Sequence, residues 1–433
     1  MKIGLLIGMV LINLLIPPAR AALNLELTKG VFNQLPIGVV AFSKPSSMNE
    51  NSDIGTIVKN DLSHSGQFKV FMPADTFPHT PQQVSASYWR HQRVDDVVVG
   101  QVQKHDAGHD YSVKFALINV AQGRNQILIQ REFSTDGQQL RRLAHHISDL
   151  IYEKLTGVRG VFSTRIAYVL VTRNDHRCLY SLQVADMDGY NAKPLLTSTQ
   201  PIMSPAWSHD GKRIAYVSFE NKLPGIYIET VNNGERVLVS HYPGINGAPA
   251  WSPDDQTLAL ALSKESATPK IYLMNIASKK LQQMTYGFSI DTEPNWSIDG
   301  RSLLFTSDRG GGPQIYKLTI RSGNIQRLTF NGSYNARASY SPDGKKIVIL
   351  NREQGAYNIA VQDLDDENVV QTLTHSGYDA SPSFSPNGQM VLYESKPERR
   401  GLLGMVSVDG RISLRLPTSQ GDVQDPTWSP FLS

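Results

Sequence analysis

Hydrophobic and polar positions along this chain of 433 residues change character near residue 160. Before that point, short alternating runs are mixed with helical periodicity. Alternating leucines predict a half-buried strand over 23–28, and the apolar run over 36–42 predicts a second strand. A helix is predicted to begin at Asp53, since Asp is a common N-cap, and to end at Gly66.

Three further strands and a long helix complete this first part of the chain. The strands are predicted over 95–102, 111–120 and 126–133, with glycine-containing turns between them. Apolar residues at helical spacing predict an amphipathic helix over 138–155. Together these elements predict a small α/β domain over residues 22–160, in which helices and strands surround one sheet.

From residue 161 onward one short phrase repeats: an aromatic residue, then Ser, then a turn of the Asp-Gly kind, with Pro two places before the aromatic in most copies. The aromatic residues are Trp207, Trp251, Trp296, Tyr340, Phe384 and Trp428. Successive copies are 44 or 45 residues apart, and each unit contains strand-like segments. A fixed period of this length is typical of a β-propeller. We expect the aromatic residues to pack between neighbouring sheets.

The two ends of the repeat region are incomplete in complementary ways. The first unit begins at Arg165 and contains only the second, third and fourth strands, whereas 426–430 contains only a first strand. We therefore expect the C-terminal strand to complete the first blade and to close a ring of six blades, because closure removes an exposed sheet edge. The predicted fold class is multidomain: a small N-terminal α/β domain followed by a six-bladed all-β propeller over residues 161–433.

Composition and charge describe an ordinary globular protein. Hydrophobic residues make up 40% of the chain and charged residues 19%, which is enough for packed cores. The net charge is only +3 and the basic residues are scattered, so no nucleic-acid partner is expected. The single cysteine, Cys178, cannot form an internal disulfide and is expected to be a buried thiol. We expect a monomer.

The first 21 residues form a separate pattern. Lys2 precedes an apolar run from Ile3 to Ile16, and Ala19-Arg20-Ala21 supplies a small-x-small ending. This pattern is typical of a secretory signal peptide that is cleaved after Ala21. The alternative is an uncleaved membrane anchor, for which the apolar run is short. We therefore expect an exported, soluble protein.

The sequence lacks the common catalytic motifs. It contains no G-x-S-x-G nucleophile elbow, no H-E-x-x-H and no cysteine pair. His145 and His146 have no third ligand at a suggestive spacing, so packed or solvated histidines are expected rather than a metal site. The residues that vary between copies without serving the turns or the core lie in the loops that precede each first strand. In a propeller these loops open on one face around the central channel, where we expect binding.

Charged residues in these loops make the predicted mouth of the channel acidic. Five carboxylates face one arginine: Asp291, Glu293, Asp379, Asp422 and Asp425 against Arg337. Such a mouth favours a cation, Ca²⁺ for example, or a basic partner surface. The sequence assigns no cofactor.

Several stretches of the chain resemble a known family. They are 36–40, 61–68, 96–102 and, most specifically, the helix and junction over 144–168 (AHHISDLIYEKLTGVRGVFSTRIAY), with 203–208, 246–249 and 292–294 in the repeats. On these residues the chain resembles the TolB translocation proteins of the Tol-Pal system of Gram-negative bacteria. The resemblance covers nearly the whole mature chain.

The resemblance implies a periplasmic adaptor without catalysis, which supports outer-membrane integrity and constriction at cell division. In the family, the loop-bearing propeller face binds the peptidoglycan-associated lipoprotein Pal, and the mature N-terminus contacts the C-terminal domain of the inner-membrane protein TolA. Carried onto this chain, the expected Pal-binding face consists of Met203, Ile245, Asn246, Ala248, Asp291, Thr292, Glu293, Asn335, Arg337, Tyr378, Asp379 and Asp425. The expected TolA-binding segment consists of Ala22, Leu23, Asn24, Leu25, Glu26, Leu27 and Thr28. It would add a strand to a sheet edge, either of its own domain or of a partner. Some bacteriocins would target the same propeller face.

A second class of function stays open on the sequence alone. A secreted propeller enzyme, such as a polysaccharide lyase, would use the acidic mouth together with a metal. Binding to Pal separates the two hypotheses, because only the adaptor requires it.

Overall fold

The computed structural model describes residues 25–45, 53–74, 77–104, 110–174, 177–366, 369–397, 400–416 and 421–432. The predicted signal peptide, its cleavage after Ala21, and Ala22, Leu23 and Asn24 of the expected TolA-binding segment lie outside these ranges. Within the described ranges, no helix has the length and apolar character needed to span a bilayer.

The N-terminal part of the chain contains six strands and three α-helices in its described residues. They are β1 (Glu26–Lys29), β2 (Leu35–Val39), α1 (Ile54–His64), β3 (Phe68–Phe71), α2 (Ala86–His91), β4 (Asp96–Lys104), β5 (Asp110–Asn119), β6 (Gln126–Asp136) and α3 (Leu140–Thr156). Strands β2 to β6 form one sheet in the order β3-β2-β4-β5-β6, in which β2 runs parallel to β3 and to β4. Helices α1 and α3 cover one face through residues such as Val58 and Ile147, and α2 covers the other through Trp89. The predicted α/β domain is confirmed.

Local sequence explains where the two long helices begin and end. The Asp53 carboxylate accepts a hydrogen bond from Thr56 N at 3.5 Å, as expected of an N-cap. Helix α3 ends at Gly157, whose φ of 76° is left-handed and easily adopted by glycine. Strand β3 and helix α2 were not predicted, because elements of four and six residues are too short to show a period.

Six antiparallel sheets follow in the described residues, one for each predicted blade; each contains four strands from the propeller repeat, and β1 adds a fifth strand to the last of them. Blade 1 contains β7 (Arg165–Asn174), β8 (Arg177–Asp186), β9 (Lys193–Ser198) and β30 (Asp422–Trp428), and blade 2 contains β10 (Ile202–Trp207), β11 (Arg213–Ser218), β12 (Gly225–Thr230) and β13 (Arg236–Ser240). Blade 3 contains β14 (Asn246–Trp251), β15 (Thr257–Leu262), β16 (Lys270–Asn275) and β17 (Leu281–Gln283), and blade 4 contains β18 (Asp291–Trp296), β19 (Ser302–Ser307), β20 (Gln314–Thr319) and β21 (Ile325–Arg327). Blade 5 contains β22 (Tyr334–Tyr340), β23 (Lys346–Glu353), β24 (Ala356–Asp363) and β25 (Val370–Thr372), and blade 6 contains β26 (Asp379–Phe384), β27 (Met390–Ser395), β28 (Leu402–Ser407) and β29 (Ser413–Leu416).

The C-terminal strand β30 completes blade 1, as predicted. It pairs antiparallel with β7, so that Trp428 lies opposite Ile166. The buried Trp428 Nε1 also donates a hydrogen bond to Thr164 Oγ1 at 2.8 Å. The first strand of each blade packs on that of the next, and β30 contacts both β26 and β10. The closed six-bladed propeller is therefore confirmed.

The repeated aromatic residues belong to the packing between blades. The indole Nε1 of Trp251 donates a hydrogen bond to Ala206 O at 3.0 Å, and that of Trp296 donates one to Ala250 O at 3.1 Å. Each of these bonds reaches back to the first strand of the preceding blade. The aromatic residues therefore serve the scaffold, as predicted.

One turn of the repeat has Asp255 where most copies have glycine. Asp255 adopts a φ of 57°, which is uncommon for a residue with a side chain. Its carboxylate accepts hydrogen bonds from His209 N at 2.7 Å and Asp210 N at 2.9 Å, in the equivalent turn of the preceding blade. These two bonds offset the strain of the left-handed backbone and link blades 2 and 3.

The N-terminal strand β1 joins the propeller rather than the α/β sheet. It pairs antiparallel with β29 as a fifth strand of blade 6, and Leu27 lies opposite Leu414. The Thr28 hydroxyl donates a hydrogen bond to Ser413 O at 2.9 Å. Of the two expected docking sites, the sheet of its own domain is not used by the described part of this segment, and the sheet edge of a partner stays a prediction. The outer edge of blade 6 offers a free row of backbone donors and acceptors, and β1 satisfies them.

Candidate functional site: the mouth of the propeller channel

A backbone bulge recurs in the first strand of every blade, three residues before the aromatic. Two residues there lie opposite one on the second strand, and the first of the two has a φ between 45° and 54°. We call these residues the bulge ring: Ser204, Ala248, Glu293, Arg337, Ser381 and Asp425. All six line the central channel, a cavity of about 570 Å³. Because a positive φ is uncommon outside glycine, its recurrence in six blades marks a built feature of the fold.

An ion-pair network joins five members of the bulge ring. Arg337 Nε lies 3.0 Å from Glu293 Oε1, and Arg337 Nη1 lies 2.8 Å from Asp425 Oδ1. The guanidinium also donates to the Ser381 hydroxyl, and Asp425 Oδ2 accepts a hydrogen bond from Ser204 N at 3.1 Å. Burial alone would raise the pKa of Asp425, but the Arg337 charge and these hydrogen bonds hold that pKa below its usual value. The network therefore ties blades 4, 5, 6, 1 and 2 together across the channel.

Four of the expected Pal-binding residues are buried beneath the mouth. Each stands five residues before the aromatic of its blade and is at most 2% exposed: Asn246, Asp291, Asn335 and Asp379. Their side chains bond to neighbouring polar groups; Ser307 Oγ, for example, donates to Asp291 Oδ1 at 2.6 Å. In the chain alone these four side chains are not on the surface, so their expected contact with a partner stays a prediction. They hold the loops from below.

The predicted acidity of the mouth is halved by arginine partners. Asp291 Oδ1 lies 2.9 Å from Arg309 Nη2, and Asp422 Oδ2 lies 2.8 Å from Arg173 Nη1. Together with Arg337, these make three arginines against the five predicted carboxylates, which leaves a net charge of −2. The mouth is less acidic than expected because two of the arginines lie outside the loops from which the charge was judged.

The exposed part of the mouth is apolar and aromatic. Met203, Ile245 and Tyr378, all predicted, are 41%, 47% and 67% exposed. Phe288 in the loop before β18 is 98% exposed and was not predicted, although the run YGFSI over 286–290 is a visible signal. A contiguous exposed apolar patch is typical of a protein interface, so these four side chains are the candidates for one at the mouth. The other predicted residues are half-buried: Ala248, Thr292, Glu293, Arg337 and Asp425.

A second cluster lies between the two domains and has residue types found in metal sites. Ligand atoms of Asp61, His145 and Asp188 lie within 4.8 Å of one another. Arg141 contacts Asp188 in the same cluster. Since a guanidinium already engages a carboxylate that a metal would need, the arrangement favours ion pairing over metal ligation. His145 is buried and its neighbour His146 is exposed. Asp61 and Asp188 lie close to His145 only in the folded chain, so their spacing in the sequence gave no sign of the cluster.

Comparisons with known proteins agree with this architecture. A family model described as the TolB beta propeller domain matches residues 152–432, and one described as the TolB amino-terminal domain matches residues 23–126. A Coxiella burnetii protein named Tol-Pal system protein TolB is 50% identical over 245 residues, which are 55% of this chain and 56% of that protein. The protein of the same name from Bordetella parapertussis is 40% identical over 297 residues, 68% of this chain and 65% of that protein. The chain thus spans about half to two thirds of the length of these curated relatives in the matched regions.

A solved structure matches more of the chain. The crystal structure of TolB from Acinetobacter baumannii has a TM-score of 0.87 and 40% sequence identity, and the match covers 94% of this chain and all of that one. The relatives are Tol-Pal system proteins, so the propeller-enzyme alternative is not favoured. The family models, the relatives and the fold agree: the chain belongs to the TolB family.

Proposed function

We propose that the chain is a periplasmic adaptor of the Tol-Pal system, which links the lipoprotein Pal to the inner-membrane protein TolA. Through this link it supports outer-membrane integrity and constriction at cell division. The observation that carries the proposal is the channel mouth, where exposed apolar side chains stand on a closed ring of blades. Membership of the TolB family supports the same role.

Pal is proposed to bind the exposed and half-buried residues of the mouth. Contact with Met203, Ile245 and Tyr378 removes apolar surface from water, which favours association. Beneath them, the network around Arg337 holds the first strands of the blades together. Loops that are already fixed in this way lose little conformational entropy on binding. Bacteriocins that parasitise the family are proposed to compete for this face.

The segment 22–28 is proposed to bind the C-terminal domain of TolA. In its described part, β1 is docked on blade 6, and Leu25 and Leu27 are half-buried there. In the described residues, β1 is held on β29 by three residue pairs and by the hydrogen bond from the Thr28 hydroxyl to Ser413 O. A strand held by so few pairs exchanges readily for an edge on a partner's sheet, because few backbone hydrogen bonds have to break first.

A calorimetric titration with purified Pal tests the first binding site. Ile245→Asp places a charge at an exposed apolar position and should weaken binding by at least about tenfold, or about 1.4 kcal/mol. Val237→Asp is the matched control, since Val237 is 50% exposed but lies on β13, the outer strand of blade 2. Absence of Pal binding by the unmodified protein, or equal losses in the two variants, contradicts the proposal.

Deletion of residues 22–28 tests the second site. Binding to the TolA C-terminal domain should disappear, while Pal affinity and the far-ultraviolet circular dichroism spectrum should be kept. TolA affinity that survives the deletion unchanged removes this role from the segment.

The remaining proposals concern cofactor and assembly. No cofactor is proposed as a requirement, and Ca²⁺ is the cation to titrate against the channel because the mouth keeps a net charge of −2. The free protein is proposed to be a monomer, which light scattering measures directly.

A further inference from the structure

A buried ionic cluster joins helix α3 of the N-terminal domain to the turn that follows β8 in blade 1. His145 is 2% exposed; its Nδ1 lies 2.8 Å from Asp61 Oδ2 on α1, and its Nε2 lies 3.9 Å from Asp188 Oδ2 on the propeller. Arg141, one turn earlier on α3, contacts Asp188, and its Nε lies 3.4 Å from Asp186 Oδ2. Two cations on one helix thus face carboxylates from both domains.

The proton of His145 completes the charge balance of this cluster. Asp61, Asp186 and Asp188 carry three negative charges, and Arg141 alone supplies one positive charge. Among the described residues His145 Nε2 has no hydrogen-bond partner. If His145 were neutral with its Nδ1–H donated to Asp61, the lone pair of Nε2 would face the Asp188 carboxylate. A protonated ring replaces that repulsion with attraction.

Other ionisable groups around His145 do not supply the missing charge. On α1, burial lowers the pKa of His64 and outweighs the charges of Asp61 and Asp188, which raise that pKa. One turn after His145 on α3, burial raises the pKa of Asp149 to about 6, although its carboxylate accepts hydrogen bonds from Phe162 N and Ser163 N. Asp149 therefore holds the chain between the domains and adds a further acid to the cluster rather than a cation.

We propose that Arg141 and His145 form an ionic clamp, which fixes the N-terminal domain on blade 1 and opens when His145 loses its proton. The clamp acts on the arrangement of the two domains, which carry the two proposed partner sites. It stands on the contacts within this chain and does not depend on which partners bind.

The pH dependence has a definite sign. Burial lowers the pKa of His145, but the charges of Asp61 and Asp188 outweigh burial and raise that pKa from 6.5 to about 9. Because the pKa is higher in the clamped state than in the released state, the clamp is at full strength below pH 6.5. It is lost as the pH rises through about 9.

Pulsed electron–electron double resonance tests the clamp by measuring the distribution of distances between two spin labels, one on each domain. The labels go on Arg124→Cys in the N-terminal domain and Asn232→Cys in blade 2, both exposed, in a Cys178→Ser background. We expect one narrow distance distribution at pH 7 that broadens above about pH 9. His145→Gln should broaden the distribution at pH 7, whereas the control His146→Gln, on the exposed side of the same helix, should not.

A second variant shows whether a broad distribution in His145→Gln could come from misfolding of the N-terminal domain instead of loss of the clamp. Asp188→Asn keeps the pair between His145 and Asp61 inside the N-terminal domain. It weakens the contacts of residue 188 with His145 and Arg141 across the interface, while Arg141 keeps its contact with Asp186. It should also broaden the distribution at pH 7 and lower the pKa of His145 measured by NMR. The clamp is disproved if His145→Gln and Asp188→Asn both keep a narrow distribution at pH 7, or if the unmodified protein shows no change between pH 7 and pH 10.

Discussion

Replacing Arg337 by methionine removes the centre of the network in the channel. The change keeps an unbranched side chain of similar length but removes the guanidinium that pairs with Glu293 at 3.0 Å and with Asp425 at 2.8 Å. Two carboxylates on opposite sides of blade 5 then lose their shared cation. Arg337→Met therefore tests whether the network contributes to the stability of the ring of blades.

The structure sets the size of the expected loss. Removing one partner of a fully buried ion pair destabilises a protein by about 3–5 kcal/mol, because the other charge stays buried without compensation. Here the side chains of Arg337, Glu293 and Asp425 are 33%, 25% and 14% exposed, so water screens part of the charge. We expect the free energy of unfolding to fall by about 2–3 kcal/mol at pH 7.

Urea unfolding followed by circular dichroism measures the loss, and a triple variant identifies its cause. Glu293→Gln, Arg337→Met and Asp425→Asn together remove the unpaired charges, so most of the lost stability should return. Arg337 holds the pKa of Asp425 in the folded protein below 3.8, the value for the unfolded chain. The stability that the Arg337–Asp425 pair contributes is therefore present above pH 3.8, and it is lost as the pH falls through the pKa of Asp425 in the folded protein. Equal losses in the single and triple variants, or a single-variant loss that does not shrink below about pH 4, would refute the reasoning.

Two further predictions concern the scaffold. Gly157→Ala should lower the free energy of unfolding by about 1 kcal/mol in the same urea assay, because φ is 76° there. No atom of the described residues lies within 4 Å of the added methyl group, so we assign this loss to backbone strain. A neutral result would contradict a strained C-cap. Trp251→Phe should lower the free energy of unfolding by about 1 kcal/mol more than the smaller ring alone would, because Ala206 O loses its hydrogen-bond donor. Full stability in that variant would mean that the hydrogen bond between the blades contributes nothing.

Much of the fold follows from local spacing in the sequence. A blade strand and its neighbour are joined by a short turn, so the turn residues and alternating positions near Trp207 predict four strands without knowledge of any distant contact. The first repeat lacks its first strand, and the C-terminal end of the chain has one extra first strand. This complementarity predicts that the C-terminal strand completes the first blade and closes the ring. The six blades, the closure by β30 and helix α3 could all be predicted for this reason.

The candidate site was predicted only in part, because exposure is not a local property. The loops before each first strand were placed correctly at the mouth, and Met203, Ile245 and Tyr378 are exposed there. Asp291 and Asp379 have the same loop position and the same polar character, yet neighbouring strands cover them. A charged residue in a loop predicts an exposed side chain only when nothing from another strand packs over it.

The sequence by itself determined the number of blades and their strand order, since both depend on residues that are close along the chain. It also identified the strand that closes the ring, because the incomplete repeats at the two ends complement each other although β30 and β7 are distant in the chain. Only the tertiary structure decided that β1 pairs with blade 6, that Arg337 neutralises carboxylates from two other blades, and that His145 lies between acids of both domains. These contacts join residues from 43 positions apart (His145 and Asp188) to 389 positions apart (Glu26 and Arg415). Their energies depend on distance and burial, and both are defined only after the chain has folded.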